Sequence, residues 1–206
     1  MPKYQPLLEK AYDRKDKEEV MSLYSDWAEH YDDELGDNEY VAPQRAAALF
    51  AEYVPDRTVH LIDIGCGTGL VGRFLVAHGF ENIDGLDLSA DMLAQAGKTG
   101  IYKKLIQADL TAGLKIADAT YDAVISVGTF THNHVGPQGL DEVLRIVKPG
   151  AIAGITVNGD AYVEDGYRAK FDQLVKDGIC TIVNERDEDY IIARSIRGRV
   201  VTLKKT

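Results

Sequence analysis

Apolar positions along this chain change their spacing near residue 55. Ahead of that point they recur every three or four residues, at Val20, Leu23, Tyr24, Trp27, Tyr31 and Leu35, the period of a helix face. Ser22 or Ser25 would cap such a helix and Gly36 would stop it. A second helix is predicted from Pro43, in its first turn, through Ala46, Ala47, Leu49 and Phe50 to Glu52, with Pro55-Asp56 breaking it. From Val59 onward short apolar runs alternate with helical stretches. Strands read at 59–63, 83–87, 102–107, 122–126 and 151–157, with helices near 69–78, 90–97, 138–147 and 164–177 between them. Lys148-Pro149-Gly150 makes a sharp turn into the fifth strand. Two further β-rich runs, Ile179–Val183 and Arg199–Leu203, follow with a short connection, which places that pair antiparallel at the sheet edge. The alternation predicts an α/β fold: a doubly wound, seven-stranded, mostly parallel sheet in a single domain. Residues 1–55 form an N-terminal helical segment and residues 56–206 the core.

The stretch from Val59 to Gly69 carries the first chemistry. A β-branched run reaches Asp63 and is followed by Gly65, Gly67 and Gly69 at alternate positions; helix-forming residues and a second strand ending at Asp87 come next. Strand, glycine turn, helix and strand make a nucleotide-binding unit. Dinucleotide sites space their glycines G-x-G-x-x-G and bring a pyrophosphate to the helix N-terminus. Here the spacing is G-x-G-x-G, and a carboxylate at Asp63 would repel a pyrophosphate. It suits a ligand bearing an ammonium and a sulfonium. Asp87, 18 positions after Gly69, has two oxygens to accept from two ribose hydroxyls. A nucleoside carrying an amino acid satisfies both carboxylates, and S-adenosylmethionine is that ligand. A turn without any ligand is the plain alternative, and an NAD-dependent oxidoreductase is disfavoured by the spacing and by Asp63.

Composition adds limits. At 206 residues and 22.7 kDa the chain buries a continuous core as one domain, and 45% apolar with 27% charged residues is ordinary for a globular protein. No apolar run approaches the ~20 residues that span a bilayer, and the first residues lack an apolar signal core; no membrane partner and a cytoplasmic location are expected. Lysine and arginine number 23 against 33 acids, a formal charge of −10. That balance argues against a nucleic-acid partner, whose binding draws on basic side chains, and favours a small-molecule acceptor. Arg194, Arg197, Arg199, Lys204 and Lys205 read as a solvated edge. Cys66 and Cys180 lack metal-ligand spacing, so no metal is expected. Oligomeric state is not encoded in any of these features.

Taken together, the motifs resemble the class I S-adenosylmethionine-dependent methyltransferases over nearly the whole chain. Asp63-x-Gly65-x-Gly67-x-Gly69 is similar to that family's first motif, and Asp87-Leu88-Ser89 with Met92-Leu93 to its second. Ala108-Asp109-Leu110 resembles the third, Tyr121-Asp122-Ala123-Val124 the fourth strand, and Val143-Leu144-Arg145-x-x-Lys148-Pro149-Gly150 the turn before strand five. Tyr24-x-x-Trp27-Ala28-x-x-Tyr31-Asp32 with Tyr40-x-Ala42-Pro43 narrows the resemblance to the methyltransferase-like group of the Williams–Beuren region and its bacterial relatives.

The resemblance implies a Rossmann-like sheet of order 3-2-1-4-5-7-6 beneath a helical N-terminal lid. It implies cofactor contacts from Gly65 and Gly67 to the methionine part, with Asp63 steadying that loop or the ammonium. Asp87 would hold the ribose, Leu88 and Met92 would flank the adenine, Asp109 and the Leu110 backbone would read the ring edge, and Val127 would be a further cofactor contact. Trp27 and Tyr31, four apart on one helical face, are core packing or, for Tyr31, a closure over the cofactor's carboxylate end. Asp109 has an alternative as a helix cap and Met92 as helix core. His132 and His134, past strand four, are candidates for a general base toward an oxygen acceptor, or polar loop residues. Methyl transfer to a small molecule, with oxygen favoured and S-adenosylhomocysteine as product, is the expected function. The rival is a non-catalytic S-adenosylmethionine sensor or partner subunit.

Overall fold

The computed structural model describes residues 39–131 and 134–206. Trp27, Tyr31 and His132, with the helix expected around residues 20–35, lie outside the described residues. The first described helix, α1 (Ala42–Tyr53), has Pro43 in its opening turn and buries Ala46, Ala47, Leu49 and Phe50. Seven strands follow: β1 (Leu61–Ile64), β2 (Ile83–Asp87), β3 (Lys104–Gln107), β4 (Tyr121–Phe130), β5 (Val147–Asn158), β6 (Cys180–Ile191) and β7 (Ile196–Lys205). Between them run α2 (Leu70–Ala77), α3 (Ala90–Lys98), α4 (Gly139–Ile146), α5 (Gly159–Glu164) and α6 (Tyr167–Lys176).

The strands form one sheet of order β3-β2-β1-β4-β5-β7-β6, as the motif order implies. β1 to β5 pair in parallel, and β7 runs antiparallel between β5 and β6. A parallel sheet of this kind must be covered on both faces, and β1 shows it: all four residues are buried. Ile62 and Ile64 pack with Leu140 and Val143 of α4 and Phe171 of α6. Leu61 packs with Phe50 of α1 and Val71 and Leu75 of α2. Asp63 falls on the Leu61 face by the period of two along a strand. Strand order reverses between β1 and β4, and in such sheets ligands bind beyond the carboxyl ends of the strands at that reversal.

Several elements differ from the expected ones. The helix expected over 164–177 begins only at Tyr167, because Gly166 takes φ +81 and caps α6 from the left-handed region, and a separate short helix, α5, precedes it. The last two strands are much longer than the runs 179–183 and 199–203. Polar residues of β6 belong to an edge strand, where one solvated face suffices, and cross-strand ion pairs support it. Arg199 reaches Glu185 at 3.7 Å and Asp187 at 3.2 Å, and Arg45 of α1 reaches Glu188 at 2.9 Å. Among the described residues no helix is long and apolar enough to cross a membrane.

Where β4 begins, a partly buried polar triad ties β2 and β4 to the residue that leads into β1. Asp84 of β2 meets His60 Nε2 at 3.0 Å and accepts from the Tyr121 hydroxyl at 3.0 Å. Asp84→Ala should therefore lower the free energy of unfolding by about 2 kcal/mol, by leaving the Tyr121 hydroxyl without its acceptor. The midpoint in urea measures this, and an unmoved midpoint would show the triad to be dispensable.

Candidate functional site

The turn after β1 is drawn against β2 by its own backbone. The N–H groups of Gly65 and Cys66 donate to the Leu86 carbonyl at 2.7 and 3.0 Å. Asp87 closes the same gap from the side chain, its Oδ2 accepting from Gly67 N at 2.9 Å and its Oδ1 from Ser89 N at 2.9 Å. Ser89 then caps α3 by accepting from Met92 N at 3.3 Å. Gly67 has φ +54, and no atom of the described residues lies within 4 Å of where its Cβ would be.

β4 reaches the turn from below through an irregular segment. Ser126 pairs with Ile155 and Phe130 with Val157, so four steps on β4 are matched by two on β5. Two hydroxyls from the start and the inside of this segment meet the last carbonyl of β1: Ser126 Oγ donates to Ile64 O at 2.8 Å and Thr129 Oγ1 at 3.1 Å. Thr129 occupies the space a side chain at Gly65 would need, its Oγ1 1.9 Å from that Cβ position. Gly128, at φ +82, donates to Thr156 Oγ1 at 3.1 Å beside the Tyr40 and Tyr190 hydroxyls.

Asp63 lies fully buried beneath this turn. Its Oδ2 accepts from the Tyr102 hydroxyl at 2.7 Å, while its Oδ1 has no hydrogen-bond partner among the described residues. Burial pushes the carboxyl up to about 7; Tyr102 opposes the rise, and the neighbouring Asp87 charge adds to it. Asp87 is also raised by burial, and the N–H groups of Ser89, Gly67 and Leu88 and the charge of His134 pull it back. Burial and these two carboxylates push the Cys66 thiol well up, so that side chain is an inert filler of the turn.

Of the residues singled out in the sequence, Asp63, Gly65, Gly67 and Asp87 therefore meet in one connected arrangement. Leu88 follows Asp87 partly exposed; Met92 and Leu110 are buried, and the Ala108 N–H donates to the Asp87 carbonyl at 3.0 Å, tying the end of β3 to β2. Asp109 Oδ1 accepts from Thr111 N at 2.8 Å and Thr111 Oγ1 at 2.6 Å, so the cap foreseen as its alternative is formed. Val127 is buried against the α1 and α2 side of the sheet. His134, partly exposed after β4, lies close enough to Asp87 to act on its charge. Tyr102, Ser126 and Thr129 escaped notice. Tyr102 read as the first residue of a strand, and the hydroxyls of β4 serve the site only through a register shift that no local pattern announces.

Residues 62–155 match the sequence model of a family described as Methyltransferase domain. The chain is 29% identical to human methyltransferase-like protein 27 over 185 residues, covering 87% of this chain and 75% of that one. It is 31% identical to the malonyl-[acyl-carrier protein] O-methyltransferase of Enterobacter lignolyticus over 141 residues, which span 68% of this chain and 54% of the relative. Among solved structures, a chain of the Haloferax volcanii complex between the Trm112 methyltransferase activator and a methyltransferase superposes with TM-score 0.69 at 19% identity, covering 90% of this chain and 96% of that one.

One expectation is corrected. Bovine and yeast 18S rRNA (guanine-N7)-type methyltransferases are each 36% identical to this chain over about a third of its length, 35% and 32%. The exclusion of nucleic acid, and with it the restriction to a small-molecule acceptor, does not stand. Net charge sums over the whole surface, whereas an acceptor meets only the rim of one crevice.

Proposed function

As this chain belongs to the class I S-adenosylmethionine-dependent methyltransferases, we propose that it is an O-methyltransferase whose cofactor lies across the carboxyl ends of β1, β2 and β3. The oxygen acceptor is supported by the malonyl-[acyl-carrier protein] O-methyltransferase relative, which matches 68% of this chain. Among the described residues two features of the site suit the cofactor: a buried carboxylate oxygen on Asp63 without a hydrogen-bond partner, and free space at the Cβ position of Gly67. Bound there, S-adenosylmethionine supplies an electrophilic methyl group whose leaving group is a neutral thioether. Asp63 would face the ammonium, Asp87 the ribose, and Leu88, Met92, Asp109 and Leu110 the adenine, with Val127 behind the turn.

The chain's task is then to hold an acceptor oxygen in line with the methyl carbon, from which effective molarity follows. A carboxylate acceptor is already ionised at neutral pH; a hydroxyl acceptor must lose a proton. His134, with His132 beside it in sequence, takes that proton in this reading.

Labelled S-adenosylmethionine offered with free and carrier-bound carboxylic acids, phenols, alcohols and RNA tests the proposal. Label transferred to oxygen is expected; label found solely on nitrogen of RNA would overturn it. With a hydroxyl acceptor, His134→Ala should reduce kcat ~100-fold or more and change S-adenosylhomocysteine affinity far less. Full turnover in both His132→Ala and His134→Ala would remove the base role.

A further inference from the structure

Tyr102 sits at the centre of the site without belonging to any of its motifs. Its ring fills space beneath the glycine turn and α2 that three absent side chains leave open. A Cβ on Gly69 would stand 3.2 Å from Tyr102 Cε2, one on Gly72 would stand 2.6 Å from its hydroxyl, and one on Gly85 would stand 2.9 Å from Cδ1. Gly72 is the telling one. A glycine inside a helix costs about 1 kcal/mol relative to alanine, and here its role is to admit the Tyr102 hydroxyl to Asp63. At 2.7 Å that hydroxyl donates to Oδ2, leaving Oδ1 as the oxygen without a hydrogen-bond partner among the described residues.

We propose that Tyr102 is a positioning residue for cofactor binding: it holds Asp63 in the orientation, and in the ionised form, that receives the cofactor's ammonium. The inference rests on the cofactor reading of Asp63 above. Its electrostatic reason lies in what surrounds the carboxylate. Asp87 of β2 faces it with like charge, and the Cys66 side chain of the turn is a neutral thiol that contributes no positive charge. Burial acts in the same direction as Asp87. The Tyr102 hydroxyl opposes both, and hydrogen bonds to the charged form favour that form.

The pH dependence follows with a definite sign. With its carboxyl at about 7, Asp63 in the free protein takes up a proton as pH falls through neutrality. A cation binds the ionised form better, so affinity for an ammonium-bearing ligand rises with pH up to about that value and is level above it. Without the Tyr102 hydroxyl the carboxyl titrates at higher pH, and the level region begins later.

Calorimetry on the full chain, with S-adenosylhomocysteine and with methylthioadenosine, which lacks the amino-acid portion, separates charge from packing. Tyr102→Phe keeps the ring. It should weaken S-adenosylhomocysteine ~10-fold at pH 7, about the value of one hydrogen bond to a charged group, and move the onset of the level region upward by about one pH unit. Methylthioadenosine affinity should stay the same. Asp63→Asn should abolish the pH dependence, and adding Tyr102→Phe to it should cost nothing further. Equal losses for both ligands in Tyr102→Phe, or an unmoved pH profile, would overturn the inference. A wild-type chain that binds methylthioadenosine and S-adenosylhomocysteine equally well would instead sink the ammonium reading of Asp63 itself.

Discussion

Gly65→Ala is expected to lower S-adenosylhomocysteine affinity at least ~100-fold and to destabilise the fold by about 3 kcal/mol, the sum of a left-handed backbone and an overlapping atom. Both terms are visible. Gly65 has φ +71, a conformation that L side chains rarely adopt, and its missing Cβ position is 1.9 Å from Thr129 Oγ1. The methyl group cannot be accommodated by a simple rotation of Thr129, whose Cβ and Cγ2 lie at 3.1 and 3.3 Å from the same point. Either β4 retreats, giving up the Thr129 bond to the Ile64 carbonyl, or the turn lifts and loses the bonds from Gly65 and Cys66 to Leu86 O. The second route also draws Gly67 N away from Asp87, which is why ligand affinity should fall further than stability. Thr129→Ala in the same chain should restore part of the stability, because it removes the overlapping oxygen but not the backbone strain. Wild-type affinity in Gly65→Ala would show that the turn's shape is irrelevant to ligand binding.

The legibility of this fold divides along the range of the interactions involved. β1, the glycine turn, α2 and β2 announce themselves because turn chemistry and apolar period are local, and Asp63 and Asp87 stand out as carboxylates ending apolar runs. Strand order followed from resemblance, and the sheet has it. What hid were contacts made across the sheet. Tyr102 is 39 residues from Asp63 and Thr129 is 65 from Ile64, and neither distance leaves a trace in a short window. β6 hid for another reason: an edge strand needs one apolar face at most, so Glu185, Asp187 and Asp189 read as loop when they are a ladder facing Arg197 and Arg199. The same property misled the charge argument. Those arginines are engaged with acids of their own sheet, and a sum over the chain says little about the crevice where an acceptor would enter.

Asp87 carries the second large effect. On the proposed contact of Asp87 with the ribose, Asp87→Ala should weaken both S-adenosylhomocysteine and methylthioadenosine ~100-fold, since both ligands share that ribose and would lose two charge-assisted hydrogen bonds of about 1.5 kcal/mol each. Loss of methylthioadenosine separates this variant from Tyr102→Phe, whose effect is confined to the ligand with the amino acid. The isosteric Asp87→Asn is not a mild change here. Each carboxylate oxygen already accepts a backbone N–H, from Gly67 and from Ser89. An amide rotated either way sets its NH2 group against one of those donors, loosening either the glycine turn or the capped start of α3. Asp87→Asn should therefore lose ligand affinity and thermal stability together. A ligand lacking one ribose hydroxyl completes the argument: it should bind wild type more weakly, yet lose little more in Asp87→Ala, because protein and ligand then remove two ends of one interaction. Additive losses would mean that Asp87 shapes the turn without touching the ribose.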